Sequence, residues 1–338
     1  MQSSTRWYTF ISMYLIFFRL LSVFLMIGIG WIARQRQMIE ADSTRSLSRL
    51  LTNFFYPALI FTSMLRNFDT GGLAAHWTLP VGGFLIMLLG FGIGLLAERL
   101  LVDPHSRQGH AFLFQCTVNN YSFLPMPLAL MLWGEAGVAG LIFSTLGPEV
   151  AVWTLGVYAF SGRQLRRDSL RHLVNAPLLT MIAALALILL RDGLPTRAVS
   201  FLAMPTVQAS SEAIMAALTL IGGATIPIAM IVAGSRMAGL RGHHLFSRLQ
   251  VSVGALRLLL IPAAAILLMH MLPLTADVER ILCLVAVMPS AITSVVLSEI
   301  YRADSEFAAS SVLVTHLFSL LTIPLWLALL ARLSSSFL

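Results

Sequence analysis

Apolar residues fill ten stretches of this chain, each about as long as a helix that crosses a bilayer. They run over residues 12–33, 47–65, 78–100, 110–132, 137–160, 173–190, 207–235, 245–271, 279–300 and 307–331. The polar connections between them are short, and the longest are 34–46, 161–172 and 236–248. None has room for a soluble domain. The pattern predicts an all-α polytopic membrane protein with ten transmembrane helices. The first apolar run, Met13–Ala33, is too long for the core of a typical signal peptide, and no small-residue cleavage site follows it. It is expected to be a retained helix.

Two segments are interrupted in the middle. The fourth contains TVNNYSFLPMPLAL, residues 117–130, which sets Asn119, Asn120, Ser122, Pro125 and Pro127 inside an apolar run. The ninth carries Pro289, Ser290, Thr293 and Ser294. Each proline removes a backbone donor and clashes with the preceding turn. Irregular backbone at membrane depth persists only where protein or a water-filled cavity covers it. Both segments are therefore expected to unwind. Sliding the chain against itself by 170 residues lays Pro57 on Pro227, Asn119 on Pro289 and Thr145 on Thr315. This relates segments 1–5 (residues 1–160) to segments 6–10 (residues 161–338). Five is odd, so the second half enters the membrane upside down. Two inverted five-helix repeats with helices 4 and 9 broken at matching places are the architecture of secondary transporters.

If the breaks meet at mid-bilayer, the half-helix N-termini present free N–H groups and positive dipole ends, which suit an anion. Asn119, Asn120, Ser122, Pro125, Pro289, Ser290 and Thr293 are the candidate substrate-binding residues. Asn53, shortly before Pro57 in segment two, is expected to face the same site. The competing reading is a pair of proline kinks satisfied by neighbouring Ser and Thr.

Composition agrees with the membrane reading. The chain is 58% hydrophobic and 11% charged, with a mean hydropathy of +0.85, whereas a soluble domain is about a quarter charged. All 22 basic residues are arginine. The net charge of +7 needs no nucleic acid, because membrane proteins concentrate Arg in cytoplasmic loops. Six arginines fall on the side of the two termini and fourteen on the other, with Arg19 and Arg257 inside segments. The positive-inside rule then sets both termini outside a cytoplasmic (inner) membrane. Cys116 and Cys283 lie within apolar segments and read as buried thiols. No metal-ligand spacing and no cofactor motif is present.

Charge inside a bilayer costs at least about 2.5–3.5 kcal/mol per residue and marks functional candidates. Glu149 in segment five and His316 in segment ten are candidates for proton coupling. The alternative is a static pair, or a Glu bonded to a neighbour. Arg257 in VSVGALRLLLIP has three readings: a forked contact with a substrate carboxylate, a pair with Glu149 or Glu299, or snorkelling to the interface. Arg19 is expected to snorkel. No HExxH, GxSxG, paired intramembrane Asp or Cys–His dyad is present, so no enzyme is expected.

Several stretches resemble one known family. NNYSFLPMPLALMLWGEAGVAG resembles the fourth-helix signature of the auxin efflux carrier family, part of the bile-acid/arsenite/riboflavin transporter superfamily. NFFYPALIFTSM is similar to its second helix and TIPIAMIVAGSRM to its seventh. MPSAITSVVLSEIYRADSEFAASSVLVTHLFSLLTIPLWLAL resembles its C-terminal region. The resemblance implies a scaffold of helices 1, 2, 6 and 7 and a mobile transport domain of helices 3–5 and 8–10. It also implies elevator-type secondary active transport of a small organic anion, and a homodimer through the scaffold. Plant members move the auxin anion; bacterial members are associated with small dicarboxylates. VNNYS departs from the family's Gly-Asn pattern, which puts an auxin-like substrate in doubt. Two other functions stay open: a sodium-coupled symporter of the bile-acid type, and a membrane receptor that binds without transporting. The expected partners are the small anion and the lipid bilayer.

Overall fold

The computed structural model describes residues 18, 21–163, 171–193, 205–240 and 247–333. Arg6, Arg19, Arg166, Arg167, Arg197 and Arg241, and the expected start of the first segment, lie outside those residues. Among the described residues the regular elements are all helices. Five stretches are long and apolar enough to cross a membrane: Thr70–Leu101, Pro125–Phe160, Pro205–Gly239, Arg248–Met271 and Ser305–Leu333. The chain is a polytopic, all-helical protein.

In chain order the helices are α1 (Leu21–Gln35), α2 (Ala41–Leu50), α3 (Tyr56–Asn67), α4 (Thr70–His76), α5 (Thr78–Leu101) and α6 (Arg107–Thr117). Then come α7 (Pro125–Ser144), α8 (Leu146–Ala151), α9 (Val157–Phe160), α10 (Ala176–Gly193) and α11 (Pro205–Gly223). The last are α12 (Thr225–Gly239), α13 (Arg248–Ala255), α14 (Ile261–Met271), α15 (Ala276–Ala286), α16 (Thr293–Ile300) and α17 (Ser305–Leu333).

Several of these are pieces of one continuous rod. Wide π-type turns at Leu51–Phe55, Val152–Gly156 and Leu256–Leu260 join α2 to α3, α8 to α9 and α13 to α14. Prolines account for two of the three. Pro57 and Pro262 cannot donate to the carbonyl four residues back, so the ladder widens there. The Leu258 carbonyl that Pro262 leaves free accepts from Trp326 Nε1 of α17 at 2.8 Å. The chain's own irregularity thus becomes a tie between two helices. Segments four and five, separate in the apolar pattern, are joined through one residue. Gly134 has φ +64°, a conformation that only glycine adopts freely, and it turns the chain without a loop.

The helices pack in two groups. In the first, α3 lies against α10 and α11, and α2 against α12. α1 and α12 touch backbone to backbone. A Cβ on Gly30 would fall on the Ile231 carbonyl, and one on Gly234 on the Ile27 carbonyl. Small residues at such contacts are how membrane helices gain close packing when lipid gives no hydrophobic drive. In the second group, α5 packs on α6, α8 and α15, α7 on α15, and α17 on α6, α13 and α16. The groups meet where α3 packs on α7.

Candidate functional site

α6 and α15 both stop inside the protein. Each has 11 residues, and each starts with a hydroxyl cap. Ser106 Oγ accepts from the Gly109 N–H at 2.9 Å, and Thr275 Oγ1 accepts from the Val278 N–H at 3.5 Å. The chain then runs unwound through residues 118–124 and 287–292 before re-entering helix as α7 and α16.

The two unwound stretches are laced together. Asn119 and Ser290 form a single antiparallel bridge. The Asn120 N–H donates to the Pro289 carbonyl at 2.7 Å, and the Ala291 N–H to the Val118 carbonyl at 3.2 Å. Each break supplies partners that the other lacks, which is the requirement for non-helical backbone away from water. Side chains repeat the exchange. Asn119 Nδ2 donates to the Val285 carbonyl at the end of α15. Ser290 Oγ donates to the Gln115 carbonyl at the end of α6, at 3.3 Å. Pro125 sits in the first turn of α7, where its missing N–H costs nothing.

Asn120 connects this crossing to α17. Its amide Nδ2 lies 3.4 Å from His316 Nε2, while His316 Nδ1 lies 2.9 Å from the Val312 carbonyl. The neutral ring with its proton on Nδ1 satisfies both contacts. Asn120 Oδ1 accepts from the Leu124 N–H at 3.3 Å. Ser122 Oγ donates to Tyr56 Oη of α3 at 3.1 Å, reaching into the other helix group.

Glu149 of α8 is an acceptor on both oxygens. Tyr121 Oη donates to Oε2 at 2.7 Å. Trp153 Nε1 and Asn175 Nδ2 donate to Oε1 at 3.1 and 2.7 Å. Asn175 immediately precedes α10, so this carboxylate also bridges the two groups.

A cavity of about 470 Å³ lies beside the crossing, lined in part by Tyr56, Tyr121, Glu149, Trp153, Asn175 and Arg236. A smaller one of about 150 Å³ adjoins it and is lined by Asn119, Asn120, Ala229, Ala233 and others. Thr52, Tyr121, Ser122, Phe123, Arg236 and Thr293 line both. Ala291, Ile292 and Thr293, which lead into α16, wall the smaller cavity.

The structure thus brings Asn119, Asn120, Ser122, Thr293 and Glu149 to these cavities, and puts Pro289, Ser290 and His316 in the layer behind. Asn53 is apart from them. It is exposed, donates to its own helix at the Arg49 carbonyl, 2.9 Å away, and lines neither cavity. Arg257 is fully buried. It donates to the carbonyls of Cys116 (3.2 Å) and Ala286 (3.0 Å), reaches no interface and contacts neither Glu149 nor Glu299. Sequence reasoning missed Arg236, Tyr56 and Asn175. Arg236 reads as one more loop arginine, yet it ends the α12 face carrying Ala229 and Ala233, and its Nε donates to Ser48 Oγ at 3.2 Å.

The profile of a membrane transport protein family matches residues 15–169 and 161–327. The chain belongs to that family, the auxin efflux carriers. An uncharacterized transporter of Methanocaldococcus jannaschii is 27% identical over 313 residues, 90% of this chain and 96% of its own length. A second, from Methanothermobacter thermautotrophicus, is 26% identical over the same length and covers 95% of itself. Membership of a membrane transport family agrees with the long apolar helices.

Proposed function

We propose that the protein is a secondary active transporter of a small organic anion, a mono- or dicarboxylate, bound where the two unwound stretches cross. The observation that carries this reading is the pairing of Asn120 with Pro289 directly beside cavities that Arg236 lines. The first residue of α16, Thr293, lines that space, so the positive dipole end of α16 adjoins it, and Arg236 adds a forked donor suited to a carboxylate. A volume of about 470 Å³ falls in the range of small-molecule sites.

Ten membrane passes arranged as two inverted repeats fit the paired features of the halves. α6 and α15 match in length, in their hydroxyl caps and in the break that follows. In this reading the first helix group is the scaffold and the second is the mobile domain, moving past it as an elevator. Ser122–Tyr56 and Glu149–Asn175 are the polar links that such a movement breaks. The lining of the larger cavity includes Thr52, His172, Asn175 and Arg236. These lie beside the arginine-rich connections that the positive-inside rule assigns to the cytoplasm, which supports a cytoplasm-facing cavity with both termini outside. Glu149 and His316 are the candidates for proton coupling.

Counterflow in proteoliposomes tests the proposal. Vesicles preloaded with one carboxylate should accumulate the same radiolabelled carboxylate from outside, equally with Na⁺ or choline as the external cation. Failure of every small carboxylate to exchange overturns the transport reading, and strict dependence on Na⁺ favours the sodium-coupled alternative.

A further inference from the structure

Arg257 heads the fully buried side chains by volume, at 0% exposure. Among the described residues no carboxylate lies within ion-pairing distance of it; the ion pairs found are Arg45–Asp42, Arg163–Glu98, His270–Glu279 and Arg280–Asp277. Isolated charge is costly away from water, so its partners matter. They are the carbonyls of Cys116 and Ala286, which lie at the C-terminal ends of the two half-helices α6 and α15.

A helix C-terminus carries roughly half a negative elementary charge. Two ends converging here amount to about one negative charge, which a single guanidinium balances. Its fork also suits the geometry, because the two Nη atoms reach one carbonyl each. α5 presses on the same point through Gly90, where an added Cβ would meet the Cys116 carbonyl at 2.5 Å and Arg257 Nη1 at 3.5 Å. In transporters with broken helices, unwound carbonyls and half-helix C-termini are the groups that coordinate a coupling Na⁺.

We infer that Arg257 is a positioning residue that acts as a built-in cation for the crossing, holding the carbonyl ends of α6 and α15 together in place of a bound metal cation. The crossing is then polarised by design. Its carbonyl ends are neutralised internally by Arg257, and Thr293 at the start of α16 faces the cavities. The functional meaning of this assignment rests on the transport reading above, but its test does not, since it involves no carboxylate.

The test uses the purified full-length protein in detergent. Wild-type protein should melt at the same temperature in NaCl, KCl or choline chloride of equal ionic strength, and should show no saturable binding of radiolabelled Na⁺. Arg257→Ala should melt lower in choline chloride, by roughly 5 °C or more. It should recover much of that loss in Na⁺ or in millimolar guanidinium, and it should bind radiolabelled Na⁺. Arg257→Lys, which keeps the charge and loses the fork, should melt between the two and ignore Na⁺. Cation-specific recovery is what a mere packing role would not produce. Saturable Na⁺ binding by the wild type overturns the inference, as does a loss in Arg257→Ala that no cation restores. If Arg257→Ala does not fold, Arg257→Gln takes its place under the same two criteria.

Discussion

The backbone amide of Asn120 donates to the carbonyl of Pro289 at 2.7 Å, joining two unwound stretches from opposite halves of the chain. Neither stretch is stable alone at membrane depth, because each leaves backbone groups that lipid cannot satisfy. Their pairing solves both problems at once and leaves a polar patch beside a cavity.

Asn119 and Ser290 face each other across this bridge. Opposed residues in an antiparallel pair have Cα atoms about 4.5–5.5 Å apart, inside the range of about 4.4–6.8 Å for disulfides. With Cys116 and Cys283 replaced by Ala, the double variant Asn119→Cys, Ser290→Cys should form an intramolecular disulfide on mild oxidation. A non-reducing gel after proteolysis between the halves should show them held together. Halves that separate despite oxidation would place the stretches apart.

Arg236 is the guanidinium that both cavities share. Arg236→Gln should raise the KM for carboxylate uptake at least about tenfold with a smaller effect on kcat, the pattern of lost uniform binding. An unchanged KM removes Arg236 from the substrate's path.

Three donors converge on Glu149, and one of them, Asn175, comes from the other helix group. Gln in its place keeps one acceptor oxygen and can no longer exchange a proton. Glu149→Gln should flatten the dependence of uptake on pH. A profile that keeps its wild-type shape dismisses Glu149 as the proton carrier.

α1 and α12 meet backbone to backbone. Gly234→Ala pushes a methyl group into the Ile27 carbonyl. Overpacking of this kind costs typically about 1–3 kcal/mol, and the melting temperature should fall by several degrees. An unaltered melting temperature would mean that the two helices do not meet there.

How much of this was legible beforehand depends on the physics of each feature. The breaks were visible as Asn and Pro inside apolar runs, and between unwinding and a mere proline kink the chain takes the first, unwinding over 118–124 and 287–292. The turn between segments four and five was visible as a boundary but not as the single residue Gly134, since φ is not written in hydropathy. Arg257 was marked as unusual by its burial in an apolar run. Its partners were hidden, because they are main-chain carbonyls, and every residue has one. Arg236, Tyr56 and Asn175 were hidden for a different reason. Asn175 and Arg236 sit at the edges of their segments, where polar residues are ordinary, Tyr56 is one aromatic inside an apolar run, and only the packing of α3, α10 and α12 around the crossing brings them to one cavity. Asn53 misled through adjacency: its neighbour Thr52 faces the cavities, while Asn53 points away from both.

The most direct measurement is solute counterflow by Asn120→Ala in proteoliposomes, run beside its melting curve. The side chain of Asn120 makes only long contacts, to His316 and to the Leu124 N–H, whereas the crossing itself is held by main-chain bonds that Ala retains. Carboxylate exchange should fall at least about tenfold, about 1.4 kcal/mol or more in transport terms, with the melting temperature nearly unchanged. Exchange at the wild-type rate by a properly folded Asn120→Ala protein would contradict substrate binding at the crossing.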